Sequence, residues 1–233
     1  MAYSRPREGQ RAGRGICRRS CGLYRRRPPS CRFRRKVSRA RRAACSDRTG
    51  DEEFNYFLSV LFPAGQLAIL PYNRVVRDLN GLTVEEFLNK LQEKYEILHV
   101  QEPQLEPIEK GAMGMYLQGR WYGLGIRPEF ESDDPGGGLD ASLLQTMCFL
   151  HSWIEDPRTS GRIEFVGGIR GLGELERKVK AYDAEGGPAV AFAMFPTAIE
   201  ELLAVADAGM LMPPKSTWFE PKLRSGLFIH ELS

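Results

Sequence analysis

The residues best suited to chemistry lie close together near the end of the chain. Lys215, Ser216, Thr217, Glu220, Lys222 and Arg224 all fall within Met212-Pro213-Pro214-Lys215-Ser216-Thr217-Trp218-Phe219-Glu220-Pro221-Lys222-Leu223-Arg224-Ser225-Gly226. The prolines in this stretch forbid both a continuous helix and a central strand. A rigid loop of this kind can hold cationic heads and hydroxyls at fixed positions, which suits binding, and loops placed by a scaffold carry binding more often than packing. The competing reading is a connector whose Trp218 and Phe219 plug the core while its charges stay in water.

Two further clusters carry weaker signals. Gly167-Gly168-Ile169-Arg170-Gly171 lies between an expected strand and an expected helix, where backbone N–H groups could cradle an anion. It matches neither the P-loop nor the dinucleotide fingerprint, so a tight turn is the favoured reading. Asn73, Arg74, Asp78 and Asn80 crowd what reads as a polar loop, able to bind a polar ligand or simply to cap and turn. His99, His151 and His230 share no metal or triad spacing, and no G-x-S-x-G, H-E-x-x-H or C-x-x-C is present. These patterns name no reaction and leave the catalytic residues unknown, and no metal site is expected.

The elements that must position these residues are read from hydrophobic period. Phe54–Phe62 and Gln66–Leu70, joined by Pro63-Ala64-Gly65, read as a hairpin that ends at Pro71-Tyr72-Asn73-Arg74. Thr83 caps a helix with Glu85 and Glu86 in its first turn and Phe87, Leu88 and Leu91 on one face. Ile97–Val100 is a short strand, and Met113–Leu117 with Trp121–Ile126 a second hairpin. After a glycine-rich link, Asp140 caps an amphipathic helix carrying Leu143, Leu144, Met147, Cys148, Leu150 and Trp153. Arg162–Val166 is a strand with one wet face, and a helix runs from about Leu172 to Ala181. Ala189–Phe195 is wholly apolar and central in its sheet. Thr197 and Glu200 form a capping box that opens the next helix, Gly209 closes it, and Leu227–Leu232 is the last strand. Strands and helices do not alternate strictly. The expected class is α+β, a mixed sheet with β-hairpins and three to four amphipathic helices, preceded by a disordered basic arm.

Charge divides the chain sharply. Residues 1–50 hold 17 Lys and Arg against 2 acids, leaving 16 basic and 28 acidic residues in the remainder. The arm has too little apolar surface to offset chain entropy. A phosphate-binding arm or an Arg-rich presequence would share this composition. Cys17, Cys21, Cys31 and Cys45 lie in the arm and only Cys148 in the body, which is no disulfide framework and points to a reducing compartment. No apolar run is long enough to span a membrane. The expected partition is therefore an arm, 1–50, and a body, 51–233, in the cytoplasm.

The body resembles the C-terminal half of the domain of unknown function 1015 family. The resemblance rests on FNYFLSVLFPAGQLAILPYNRVVRDLNGL (Phe54–Leu82), RIEFVGGIRGLGELE (Arg162–Glu176) and MPPKSTWFEPKLRSGLF (Met212–Phe228). Full members are larger. Their N-terminal half resembles the ParB and sulfiredoxin nucleotide-binding fold, which includes a free-serine kinase, and it carries an Asp-Gly-His-His-Arg signature that is absent from this sequence. Synonymous codons for Leu23–Arg34, read one base on, would encode that signature. The arm is accordingly expected to be an out-of-frame translation and the chain a truncated enzyme.

The resemblance implies a nucleotide-dependent small-molecule kinase using ATP or ADP with magnesium. In it Lys215, Lys222, Arg224 and Arg170 would hold phosphate or carboxylate, Ser216 and Thr217 would hydrogen-bond, Glu220 would position a cation or a lysine, and Asn73 and Arg74 would contribute polar contacts. This chain alone would lack the nucleotide site and be inactive. A non-catalytic metabolite- or protein-binding module is the alternative, and nucleic-acid binding through the arm the third and weakest.

Overall fold

The computed structural model describes residues 28–47, 49–56, 58, 60, 63–101, 103–145, 160–222, 224 and 226–231. Among them the helices are α1 (Pro28–Ala44), α2 (Val84–Gln92), α3 (Asp140–Leu144), α4 (Leu172–Glu185) and α5 (Ile199–Asp207). The strands are β1 (Ala68–Leu70), β2 (Tyr72–Val76), β3 (Tyr95–Gln101), β4 (Ala112–Leu117), β5 (Arg120–Ile126), β6 (Ile163–Gly167), β7 (Val190–Met194) and β8 (Trp218–Glu220). The chain divides into two units, residues 69–220 and residues 1–68 with 221–233.

In the larger unit six strands form one sheet in the order β3-β5-β4-β7-β2-β6. Every ladder is antiparallel, so the sheet is not mixed, though the α+β class holds. Alternation sends side chains to two faces. Val76, Met113, Met115, Leu117, Leu124 and Phe192 pack on one face with Phe87 and Leu91 of α2 and Leu144 of α3. Val75, Tyr116, Trp121, Val166 and Ala191 pack on the other with Leu172, Leu175 and Val179 of α4. With both faces covered, β7 is buried along its whole length, and its apolar sequence correctly marked it as central.

Several elements form where residue types require them. Thr83 and Glu86 make a reciprocal capping box at α2, with Glu86 N–H donating to Thr83 Oγ1 at 3.2 Å and Thr83 N–H to Glu86 Oε2 at 2.8 Å. The β4–β5 hairpin turns at Gln118 and Gly119, both with positive φ. At the end of α5, Met210 N–H donates to the Val205 carbonyl and Gly209 N–H to that of Ala206, the Schellman pattern.

Other expectations are corrected. The described residues of Phe54–Phe62 contain no strand: Glu53–Asn55 is a 3-10 turn, and β1 pairs with β8 instead of with a preceding strand. Tyr72-Asn73-Arg74 does not end a hairpin but begins β2, because Val75 and Val76 behind it are wholly buried and carry the strand into the core. Asp140 is not the cap of α3. Leu139 holds that position, and Asp140 instead accepts from Gly111 N–H at 3.0 Å. The expected remainder of that helix, including Met147, Cys148, Leu150 and Trp153, lies outside the described residues. The α5 box is displaced by one residue, since Glu201 accepts from Ala198 N–H at 2.9 Å and Ala198 has no side-chain oxygen to reciprocate. The described residues of Leu227–Leu232 form no strand.

In the smaller unit, Pro28–Ala44 of the basic arm is helical rather than irregular. Arginine, lysine and alanine are strong helix formers, and proline is tolerated in a first turn. Ser38 Oγ donates to the Phe54 carbonyl at 2.9 Å and Arg42 Nε to Asn55 Oδ1 at 2.8 Å, tying α1 to the turn. Residues 1–27 lie outside the described residues.

Candidate functional site

The β2–β6 ladder sets the geometry of the site. Its register pairs Tyr72 with Gly167, Arg74 with Phe165 and Val76 with Ile163, so these residues share the face that α2 covers. A Cβ on Gly167 would collide with the ring of Trp218. Glycine here is therefore a packing requirement, and Trp218 from β8 fills the space it leaves. The Trp218 ring lies 5.3 Å from Tyr72, and Tyr72 lies 6.3 Å edge-on from Phe165. Trp218 Nε1 donates to Glu220 Oε1 at 2.6 Å, which fixes the indole and engages the carboxylate expected to position a cation.

The Pro213–Ser216 loop rises over this aromatic row. Pro214 followed by Lys215 with φ 58° is the pattern of a type II turn. Left-handed backbone at a lysine costs about 1 kcal/mol. Two hydrogen bonds hold the turn: Ser216 Oγ donates to the Pro213 carbonyl at 2.6 Å, and Thr197 Oγ1 donates to the Ser216 carbonyl at 3.4 Å. Ser216 thus shapes the loop, while Thr217 beside it is half-buried. Lys215 is exposed, with Nζ 3.3 Å from the Tyr72 hydroxyl and 5.3 Å from its ring centroid.

Below that surface lies Arg74, at 3% exposure. Its Nη1 donates to the Tyr72 carbonyl at 3.3 Å, its guanidinium sits 5.7 Å from the Phe165 centroid, and Nη2 has no hydrogen-bond partner. Burial lowers its pKa to about 10, against the pull of Tyr95 and Asp140 on the same side of the sheet. Asp140 is itself raised to about 6, chiefly by burial and also by Glu201, while Gly111 N–H, Lys110 and Arg74 oppose the shift. Lys110 and Glu201 pair with each other at 2.8 Å. Asn73 points the other way and serves the fold: its Oδ1 accepts from Met194 N–H at 3.0 Å, where β2 and β7 part.

Tyr72 therefore brings together Lys215 and Arg74 among the sequence candidates, one at its hydroxyl and one at its carbonyl. Arg170 is exposed and leans on Glu174 at 3.9 Å. Its glycine-rich neighbourhood is a turn, with Gly168 N–H donating to the Pro71 carbonyl at 2.8 Å. Asp78 and Asn80 are also turn chemistry: Asn80 N–H donates to Asp78 Oδ1 at 2.8 Å, and Arg162 Nε holds Asp78 Oδ2 at 2.9 Å. Lys222, half-buried, and Arg224, exposed, belong to the smaller unit. Sequence reasoning missed Tyr72 as the partner of the loop and Phe165 as the ring beside Arg74. The signal available was the period-two pattern of Tyr72-Asn73-Arg74-Val75-Val76, which aligns Tyr72, Arg74 and Val76.

Among the described residues no group of three or more His, Cys, Asp or Glu could hold a metal ion, and no helix is long and apolar enough to cross a membrane. No curated protein matches the sequence. The match to a protein family covers residues 30–142, beginning inside α1 and taking in β2 with Tyr72 and Arg74. The two later motifs that carried the resemblance, Arg162–Glu176 and Met212–Phe228, lie beyond it. Over residues 30–142 the chain matches the family described as Protein of unknown function (DUF1015).

Proposed function

We propose that the β2–β6 face binds the phosphate or carboxylate of a small molecule, as the substrate side of a nucleotide-dependent, kinase-like enzyme. The observation that carries this reading is that Lys215 and Arg74 both contact Tyr72, one at its hydroxyl and one at its carbonyl. A mobile ammonium at the surface and a planar guanidinium beneath it are complementary to an oxyanion. Ser216 and Glu220 are engaged in shaping the loop, so the anion would be met by the cations and Thr217. ATP or ADP, which the resemblance implies for the intact protein, would bring phosphate oxygens suited to Lys215.

Isothermal titration of the 233-residue chain with inorganic phosphate and with phosphoserine tests the binding step. Lys215→Ala should weaken whichever ligand binds, and unchanged affinity would remove the loop from the site. The chain by itself should show no ATP- or ADP-dependent phosphorylation of serine. Detecting it would overturn the reading of this chain as one wall of a divided, truncated enzyme. The accompanying frameshift and a cytoplasmic location belong to the same reading, and genomic codons incompatible with the shifted frame at residues 23–34 would dispose of the frameshift.

A non-catalytic module is the second reading. Asn73, Ser216 and Glu220 are each committed to structural hydrogen bonds, so among the predicted residues the site presents cations rather than a group poised to move a proton. Nucleotide consumption by a full-length, in-frame homologue separates the two.

A further inference from the structure

The sheet carries a guanidinium that its packing does not satisfy. Arg74 occupies the second strand from the β6 edge, flanked in register by Phe165 on β6 and Phe192 on β7. Among the described residues Nη1 makes one long hydrogen bond, to the Tyr72 carbonyl, and Nη2 has no partner. Removing a guanidinium from water costs far more than one such bond and one ring contact return. Asp140, the carboxylate whose charge reaches it, is engaged by Gly111 N–H rather than by Arg74. Phe165 covers the guanidinium from the outermost strand and is only half-buried, so the ring over Arg74 is itself in contact with solvent.

We propose that Arg74 is the anchor of this site: a carboxylate or phosphate oxyanion enters past the ring of Phe165 and takes Nη1 and Nη2 together, with Lys215 supplying attraction at the surface. This rests on reading the β2–β6 face as an anion site, and it assigns the affinity to the buried cation rather than to the exposed one. A structural arginine and a ligand-binding arginine differ in what their removal does to stability. If Arg74 served the fold, replacing it would destabilise the protein. If it serves a ligand, an apolar side chain of similar length should be accommodated at least as well, because a desolvated charge has gone.

The test uses the full 233-residue chain, with inorganic phosphate and acetate as probes, read by calorimetric titration and thermal melting. In Arg74→Met, binding of the preferred probe should fall by about tenfold or more while Tm is equal to or above that of the unmodified protein. Arg74→Lys keeps the charge but not the fork, and should also lose about tenfold. Lys215→Ala should lose only a few-fold. The probe that binds more tightly assigns the ligand as phosphate or carboxylate. A lower Tm in Arg74→Met with unchanged affinity would overturn the proposal, as would unchanged affinity in Arg74→Lys if the methionine variant does not fold. Loss of binding in Lys215→Ala with none in the Arg74 variants would leave the anion site standing and remove Arg74 from it. Failure of both probes to bind the unmodified chain would sink both.

Discussion

Asp140 opens α3 with its carboxylate turned to the backbone of Gly111, among Glu201, Lys110 and Arg74. Its folded pKa of about 6 lies above the unfolded value near 4, so between those values the folded protein holds the proton more tightly. Its contribution to stability is complete below pH 4 and lost as pH rises through 6. Asp140→Asn keeps an acceptor for Gly111 and cannot lose a proton. Urea denaturation should therefore show the variant gaining about 2–3 kcal/mol on the unmodified protein between pH 4 and pH 7. A constant difference across that range would show that the carboxyl titrates normally. This role was hidden in the sequence because Asp at a helix start ordinarily reads as a cap. Arg74 was visible as a candidate but assigned to a loop, since strand polarity depends on what covers each face.

At the scale of elements, local chemistry was legible wherever partners lie within a few residues. The Thr83–Glu86 box is one such case, and Thr83→Ala should cost about 1 kcal/mol in chemical denaturation. An unchanged midpoint would mean that packing alone sets the start of α2. The β4–β5 hairpin and the Gly209 stop were legible for the same reason. Elements whose form depends on distant partners were not. The Phe54–Phe62 run looks like a strand because it is apolar, yet β1 found its partner in β8, far along the chain. The glycines at 167 and 168 left an anion cradle open beside a tight turn because the ring that fills the space above Gly167 is contributed by Trp218. Gly167→Ala should displace that ring at a cost of about 1–3 kcal/mol, with a change in Trp fluorescence. Unaltered emission and stability would show that Trp218 has room to spare.

For the whole molecule, the sequence indicated an α+β body but not how its chain is divided. Residues 221–233 belong with the amino-terminal unit, a grouping no local pattern announces. Leu227, Phe228 and Ile229 of that unit are 69%, 72% and 81% exposed. Consecutive apolar side chains in water favour association. Light scattering should show concentration-dependent self-association of the full chain, reduced in a Phe228→Lys, Ile229→Lys double variant. Equal scattering from both would acquit these residues.

The position of β7 has a consequence for synthesis. It lies between β4 and β2, and the contact between Met194 and Asn73 spans 121 residues. A ribosome adding 5–20 residues each second leaves β2 waiting roughly 6–24 s for its central neighbour. During that interval the β3-β5-β4 half of the sheet can assemble while one flank of β4 stays unpaired, and Arg74 is still hydrated. The guanidinium loses its water only when the last strand of the sheet arrives.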